Sequence, residues 1–184
     1  MRVLKIQFID RTKPIFLPLD EGSVSHLLTF LDAKKRSPGA IQLTSALGND
    51  VWLNLSRVES FNLLLEANDL PFTETSILDS LYLGSEDVEP DLEETRWSAR
   101  VLVANQLRAH AIDDISGHDW TTIESSFEQD RPFFVIVDGD GEEVGFNTAR
   151  IELIIGTEEG RYSGSQREAL NAYLDRMLDA DQTT

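Results

Sequence analysis

Apolar positions along this chain recur with helical and strand periods, in an order that occurs twice. In the first round, Val24, Leu27, Leu28 and Leu31 fall at i, i+3, i+4 and i+7 behind Ser23, which predicts a helix with Ser23 as N-cap. In the second, Trp120, Ile123 and Phe127 keep the same phases behind Asp119. Each helix is followed by an apolar run that ends in a turn, "IQLTSALG" at 41–48 and "FVIVDGDG" at 134–141. A second alternating run follows each turn, so both regions predict a β-hairpin. Upstream, "RVLKIQF" (2–8) and "RVLVANQ" (100–106) are the expected first strands. Each round reads as strand, second extended segment, helix, strand, strand, turn, strand. The expected fold class is α+β: an internal duplication of a mostly antiparallel β-sheet unit with one helix each, at 1–66 and 96–160.

Between the units, residues 67–95 form the expected linker. Its end, 85–95, holds six acids and no base, a composition that favours solvation over burial. Residues 161–184 form the C-terminal helix and tail. There Leu170, Tyr173, Leu174, Met177 and Leu178 make one apolar stripe behind a Ser165/Glu168 capping box. That stripe either docks on its own domain or presents Tyr173, Leu174 and Met177 to a partner, including a second copy of the chain.

The strongest match between the units is at an offset of 93 residues. Gly48 and Gly141, Val51 and Val144, Asn54 and Asn147, Arg57 and Arg150, and Glu59 and Glu152 coincide. Four residues between two strands is too short for a crossover, so the motif is a tight corner. Asn54 and Asn147 are placed to cap it through backbone amides two residues on. Arg57 with Glu59, and Arg150 with Glu152, are two apart and share a strand face, where they are expected to pair with each other or across the sheet. A catalytic reading of the same residues lacks a neighbouring His or Lys to act as base. The units disagree at one position: Trp52 in the first matches Gly145 in the second. Both point opposite to their flanking apolar residues, so Trp52 either fills an internal gap or anchors a partner.

Charge separates the units further. The 184 residues carry a net charge of −17. Residues 1–66 hold eight Lys/Arg against seven Asp/Glu, whereas 67–184 hold eight against 26. That field repels phosphates, so no direct nucleic-acid binding is expected, and a partner with a basic surface is favoured. The three basic residues at 34–36 complement a helix end. No cysteine is present, which excludes disulfides and thiolate chemistry. No apolar run is long enough to cross a bilayer, and the first residues lack a signal-peptide pattern, so no membrane association and a cytoplasmic location are expected.

Chemistry-bearing motifs are sparse. "DGDGEE" (138–143) fails the calcium-loop pattern, with Glu143 where Gly is needed and Ala149 where Glu is needed. His110 and His118 flank Asp113 and Asp114 in a segment read as a loop, and with Asp114 they are the weak metal candidates. No phosphate loop occurs, and no cofactor is expected. The expected function is non-enzymatic protein binding or assembly through sheet surfaces, Trp52 and the C-terminal helix. The alternatives are an acidic inhibitor that imitates nucleic acid and, third, a metal-dependent enzyme around His110 and His118.

Overall fold

A computed structural model describes residues 2–32, 39–64, 95–137 and 139–179. The expected linker at 67–95 lies outside these residues except for Thr95, as do the basic residues at 34–36. Among the described residues, ten strands and three α-helices make a mixed α+β fold with antiparallel sheets. The first half contains β1 (Arg2–Phe8), β2 (Ile15–Leu19), α1 (Glu21–Asp32), β3 (Ala40–Thr44), β4 (Asp50–Asn54), a 3₁₀ turn (Leu55–Arg57) and β5 (Val58–Leu64). The second contains β6 (Arg96–Val103), β7 (His110–Ser116), α2 (Gly117–Glu128), β8 (Phe133–Val137), β9 (Glu143–Asn147), a 3₁₀ turn (Thr148–Arg150) and β10 (Ile151–Glu158). Helix α3 (Gly164–Leu178) follows.

The same order of elements thus runs twice, and the agreement extends to register. β1 pairs antiparallel with β2 and β5, as β6 does with β7 and β10. In β5 the pairing with β1 skips Glu59, between Val58 and Ser60; in β10 the pairing with β6 skips Glu152, between Ile151 and Leu153. Both glutamates occupy a β-bulge, where an extra residue bends the strand and turns its side chain out of the alternation. The corners close alike, with Ile9 N bonding Arg57 O at 3.0 Å and Ala104 N bonding Arg150 O at 2.8 Å.

Four sequence expectations change. Helix α1 begins at Glu21, with Asp20 Oδ1 accepting from Ser23 N, so Asp20 and not Ser23 is the cap. Ser116, not Asp119, caps α2, its Oγ accepting from Asp119 N at 3.1 Å. The capping box of α3 is Ser163 with Gln166, two residues before the expected pair. The second half's first strand starts at Arg96, because strand pairing through Trp97 and Ala99 outweighs the local likeness of "RVL".

The halves meet at one joint. β4 pairs antiparallel with β10, giving a five-stranded sheet in the order β3-β4-β10-β6-β7. Two apolar clusters cover its faces. One gathers Val51 and Leu53 of β4, Leu153 and Ile155 of β10, Leu102, the β1–β2 side chains, α1 and the α3 stripe. The other gathers Trp52, Ile151 and Ile154 with Trp97, Trp120, Ile123, Phe127, Phe134, Ile136 and Phe146. The period-2 alternation of strands sends neighbours to opposite clusters. Among the described residues, β9 pairs only with β8, and β5 only with β1.

Candidate functional site

The repeated corner is a capped 3₁₀ turn in both halves. Asn54 Oδ1 accepts from Ser56 N at 3.1 Å, and Asn147 Oδ1 from Ala149 N at 3.0 Å. Asn54 does more than cap: its Nδ2 donates to Ile151 O at 2.9 Å and to Thr148 O at 3.3 Å, tying one corner to the other. The expected Arg–Glu pairs within each motif do not form. Arg57 pairs with Asp10, Arg150 Nη2 donates to Ala104 O at 3.0 Å, and Glu59 is exposed. Glu152 is fully buried and takes Arg11 as partner, Nε to Oε2 at 2.5 Å. The bulge causes this mismatch, since it swings each glutamate off the strand face that the arginine shares.

The side chains offered as a partner surface lie inside the molecule. Trp52 is 5 % exposed and stacks on Phe127 at 5.5 Å. Tyr173, Leu174 and Met177 are buried in the first cluster, and burial pushes the Tyr173 hydroxyl up to about 12. A homodimer through α3 would have to use its other face. His110, Asp113 and Asp114 lie on strand β7 rather than a loop, and His118 in the first turn of α2. His110 packs edge-on against Phe146, and Asp114 pairs with Arg96 at 3.2 Å. Among the described residues no group of three His, Asp or Glu is placed to hold a metal ion.

What the sequence reading missed lies on the β8–β9 hairpin. Phe134 and Ile136 turn into the core, so the alternate residues Phe133, Val135 and Val137 point out, 60 %, 50 % and 43 % exposed. Gly145 stands opposite Val135 and leaves that face flat. Single exposed apolar residues are ordinary on a protein surface, but three in a row on one strand form a patch. The unbroken apolar run "FFVIV" was the available signal. It forms the first strand of the expected hairpin, and only its even-numbered residues are covered. Beside this patch, the outer edge of β9 borders a cleft of about 260 Å³. Val103, Gln106, His110, Val144, Phe146 and Arg150 line most of it. An unpaired strand edge beside an apolar face supplies both backbone donors and acceptors and a surface to cover.

The opposite situation holds at the internal joint. There α2 covers the matching face of β3–β4, with Trp52 on Phe127 and Gln42 Nε2 bonding Glu124 Oε1 at 3.3 Å. Two acids are trapped at that joint. Burial raises Asp50 from its ordinary value, and Arg161 and the Trp120 indole offset this only in part. Glu124 is raised by burial, then by the charges of Asp50 and Glu128, with the bond from Gln42 acting against the shift. No protein-family model, curated protein or solved structure matches this chain.

Proposed function

We propose that this chain is a non-enzymatic protein-binding and assembly protein whose partner covers the outer face and free edge of the β8–β9 hairpin. We read its halves as two copies of one unit, of which one hairpin is capped within the chain and the other is left to a partner. The observation that carries this is the exposed row Phe133, Val135 and Val137 beside the edge of β9 that has no strand partner among the described residues. Removing such apolar area from water is favourable by about 25 cal/mol per Å², against which the loss of freedom on association is set.

Immobilised wild-type and Val135→Glu chains, presented with the cell's soluble proteins and with the chain itself, test this. A partner retained by the wild type and lost from the variant is the expected result. Equal retention by both overturns the proposal. The acidic-mimic alternative makes a different demand: a basic, nucleic-acid-binding partner whose capture falls steeply with salt and ignores Val135.

A further inference from the structure

Among the described residues, β9 and β5, which correspond in sequence to β4 and β10 of the internal joint, each pair on one side only. We infer that copies of this chain join head to tail, the outer edge of β9 on one copy pairing with the outer edge of β5 on the next. This rests on the protein-binding reading and names a second copy of the chain as the partner.

The internal joint is the template. β4 meets β10 with Leu53 against Leu153, Trp52 against Ile154 and Val51 against Ile155. At the shared offset of 93, the counterpart of β4 is β9 and that of β10 is β5. The same register then sets Phe146 against Ser60, Gly145 against Phe61 and Val144 against Asn62. Bulk is exchanged across the joint. Inside the chain the large ring, Trp52, is on the hairpin; between chains Phe61, on β5 and 37 % exposed, would lie over Gly145.

The covering helix makes the second match. α1 and α2 are both 12 residues long, and Leu28 is the counterpart of Glu124. Val135 is the counterpart of Gln42. The polar pair Gln42–Glu124 inside the chain therefore becomes Val135 against Leu28 between chains, two apolar residues each about half exposed. Residues that face one another have changed character together, which a merely solvated surface does not require.

The corner makes the third. Glu152 reaches Arg11 within the chain, and Gln106 is the counterpart of Arg11 in the β6–β7 loop. Gln106 lines the cleft at the β9 edge with His110 and Arg150. Glu59, the exposed bulge residue of β5, would bring its carboxylate to these three donors. Asn147 would donate to Val58 O of the next copy as Asn54 donates to Ile151 O. A joint that uses different surfaces on its two sides does not end with two copies, and it propagates into a ring or a filament.

Sedimentation of the full chain over a wide concentration range tests this, with Leu28→Glu and Val135→Glu as probes. Wild type is expected to exceed a dimer at high concentration and to dissociate on dilution. Each variant alone is expected to sediment as one chain, with an unchanged melting temperature because both positions are half exposed. An equimolar mixture of the two is expected to form a dimer and nothing larger, because only one of its joints is intact. As the chain has no cysteine, Gly145→Cys mixed with Phe61→Cys should give an interchain disulfide that neither gives alone. Self-association lost in Val135→Glu but kept in Leu28→Glu overturns the head-to-tail arrangement and leaves the hairpin as a binding surface. A wild type that stays monomeric, yet captures a different protein through Val135, overturns self-assembly alone.

Discussion

Glu152 sits at the extra position of a bulge, fully buried, with Arg11 as its charged partner. Removing one member of a buried pair leaves the other charge without compensation, which costs about 3–5 kcal/mol. Glu152→Ala is therefore expected to lower unfolding free energy by that amount in a denaturant melt. Arg11→Met with Glu152→Leu, which leaves no charge behind, should lose far less. Its sequence twin behaves differently: Glu59 is exposed, and Glu59→Ala should stay within about 0.5 kcal/mol of the wild type. Gly156 gives a second contrast. A Cβ there would lie 2.0 Å from Trp120 Cη2, and Trp120 is itself stacked on Trp97 at 4.7 Å. Gly156→Ala should cost about 1–3 kcal/mol through overpacking, read from the same melts. The repeated Asn, Arg and Glu were legible from their spacing, and so was the capping by Asn54 and Asn147. Their partners were not, because Arg11, Asp10 and Ala104 are brought near by tertiary pairing and a bulge leaves no mark in one sequence.

At the scale of elements, α2 lies over both β4 and β10 and traps Asp50 and Glu124 near Trp120. Both carboxyls titrate above their ordinary values of 3.8 and 4.5, so the folded state holds protons that the unfolded chain has already released. Stability from this source is then greatest below those values and is lost as pH rises through the raised ones. Glu124→Gln keeps a side-chain oxygen able to accept from Gln42 and removes the charge. It is expected to melt higher than wild type at neutral pH, with the lead disappearing as pH falls below Glu124's ordinary value of 4.5. A lead that persists in acid would contradict the linkage. Helical phase was the legible part of these elements, since Val24, Leu27, Trp120, Ile123, Phe127 and all five predicted residues of α3 are buried. Leu28, on the same predicted stripe as Val24 and Leu27, is nonetheless 49 % exposed. Periodicity marks which side of a helix is apolar but not how much of it the chain covers. The caps moved by two or three residues because Asp20 and Ser23, Ser116 and Asp119, and Ser163 and Ser165 are all capping residue types, and burial phase does not choose between them.

At the scale of the whole molecule, the order of elements was readable from the chain, but the joint was not. Nothing in the spacing of apolar residues says that β4 pairs with β10 while β9, among the described residues, pairs only with β8. That pairing decides cooperativity, because each apolar cluster draws on both halves. Trp52 belongs to the first half but packs on Phe127 and Ile154 of the second; Leu153 and Ile155 pack with Leu4, Leu17 and Val51 of the first, under Leu170 and Leu174 of α3. Neither half can close its core without the other, so the described chain should unfold in one step. Calorimetry should give one transition whose measured enthalpy equals its van't Hoff enthalpy. Trp52→Ala, at about 3–5 kcal/mol, and Leu174→Ala, at about 2–5 kcal/mol, should move that single transition as a whole. Two transitions, with Trp52→Ala shifting only one, would mean that the β4–β10 joint is weak and the halves stand as separate domains. The opposite result would make the described chain one cooperative unit, with the β4–β10 joint closed inside it.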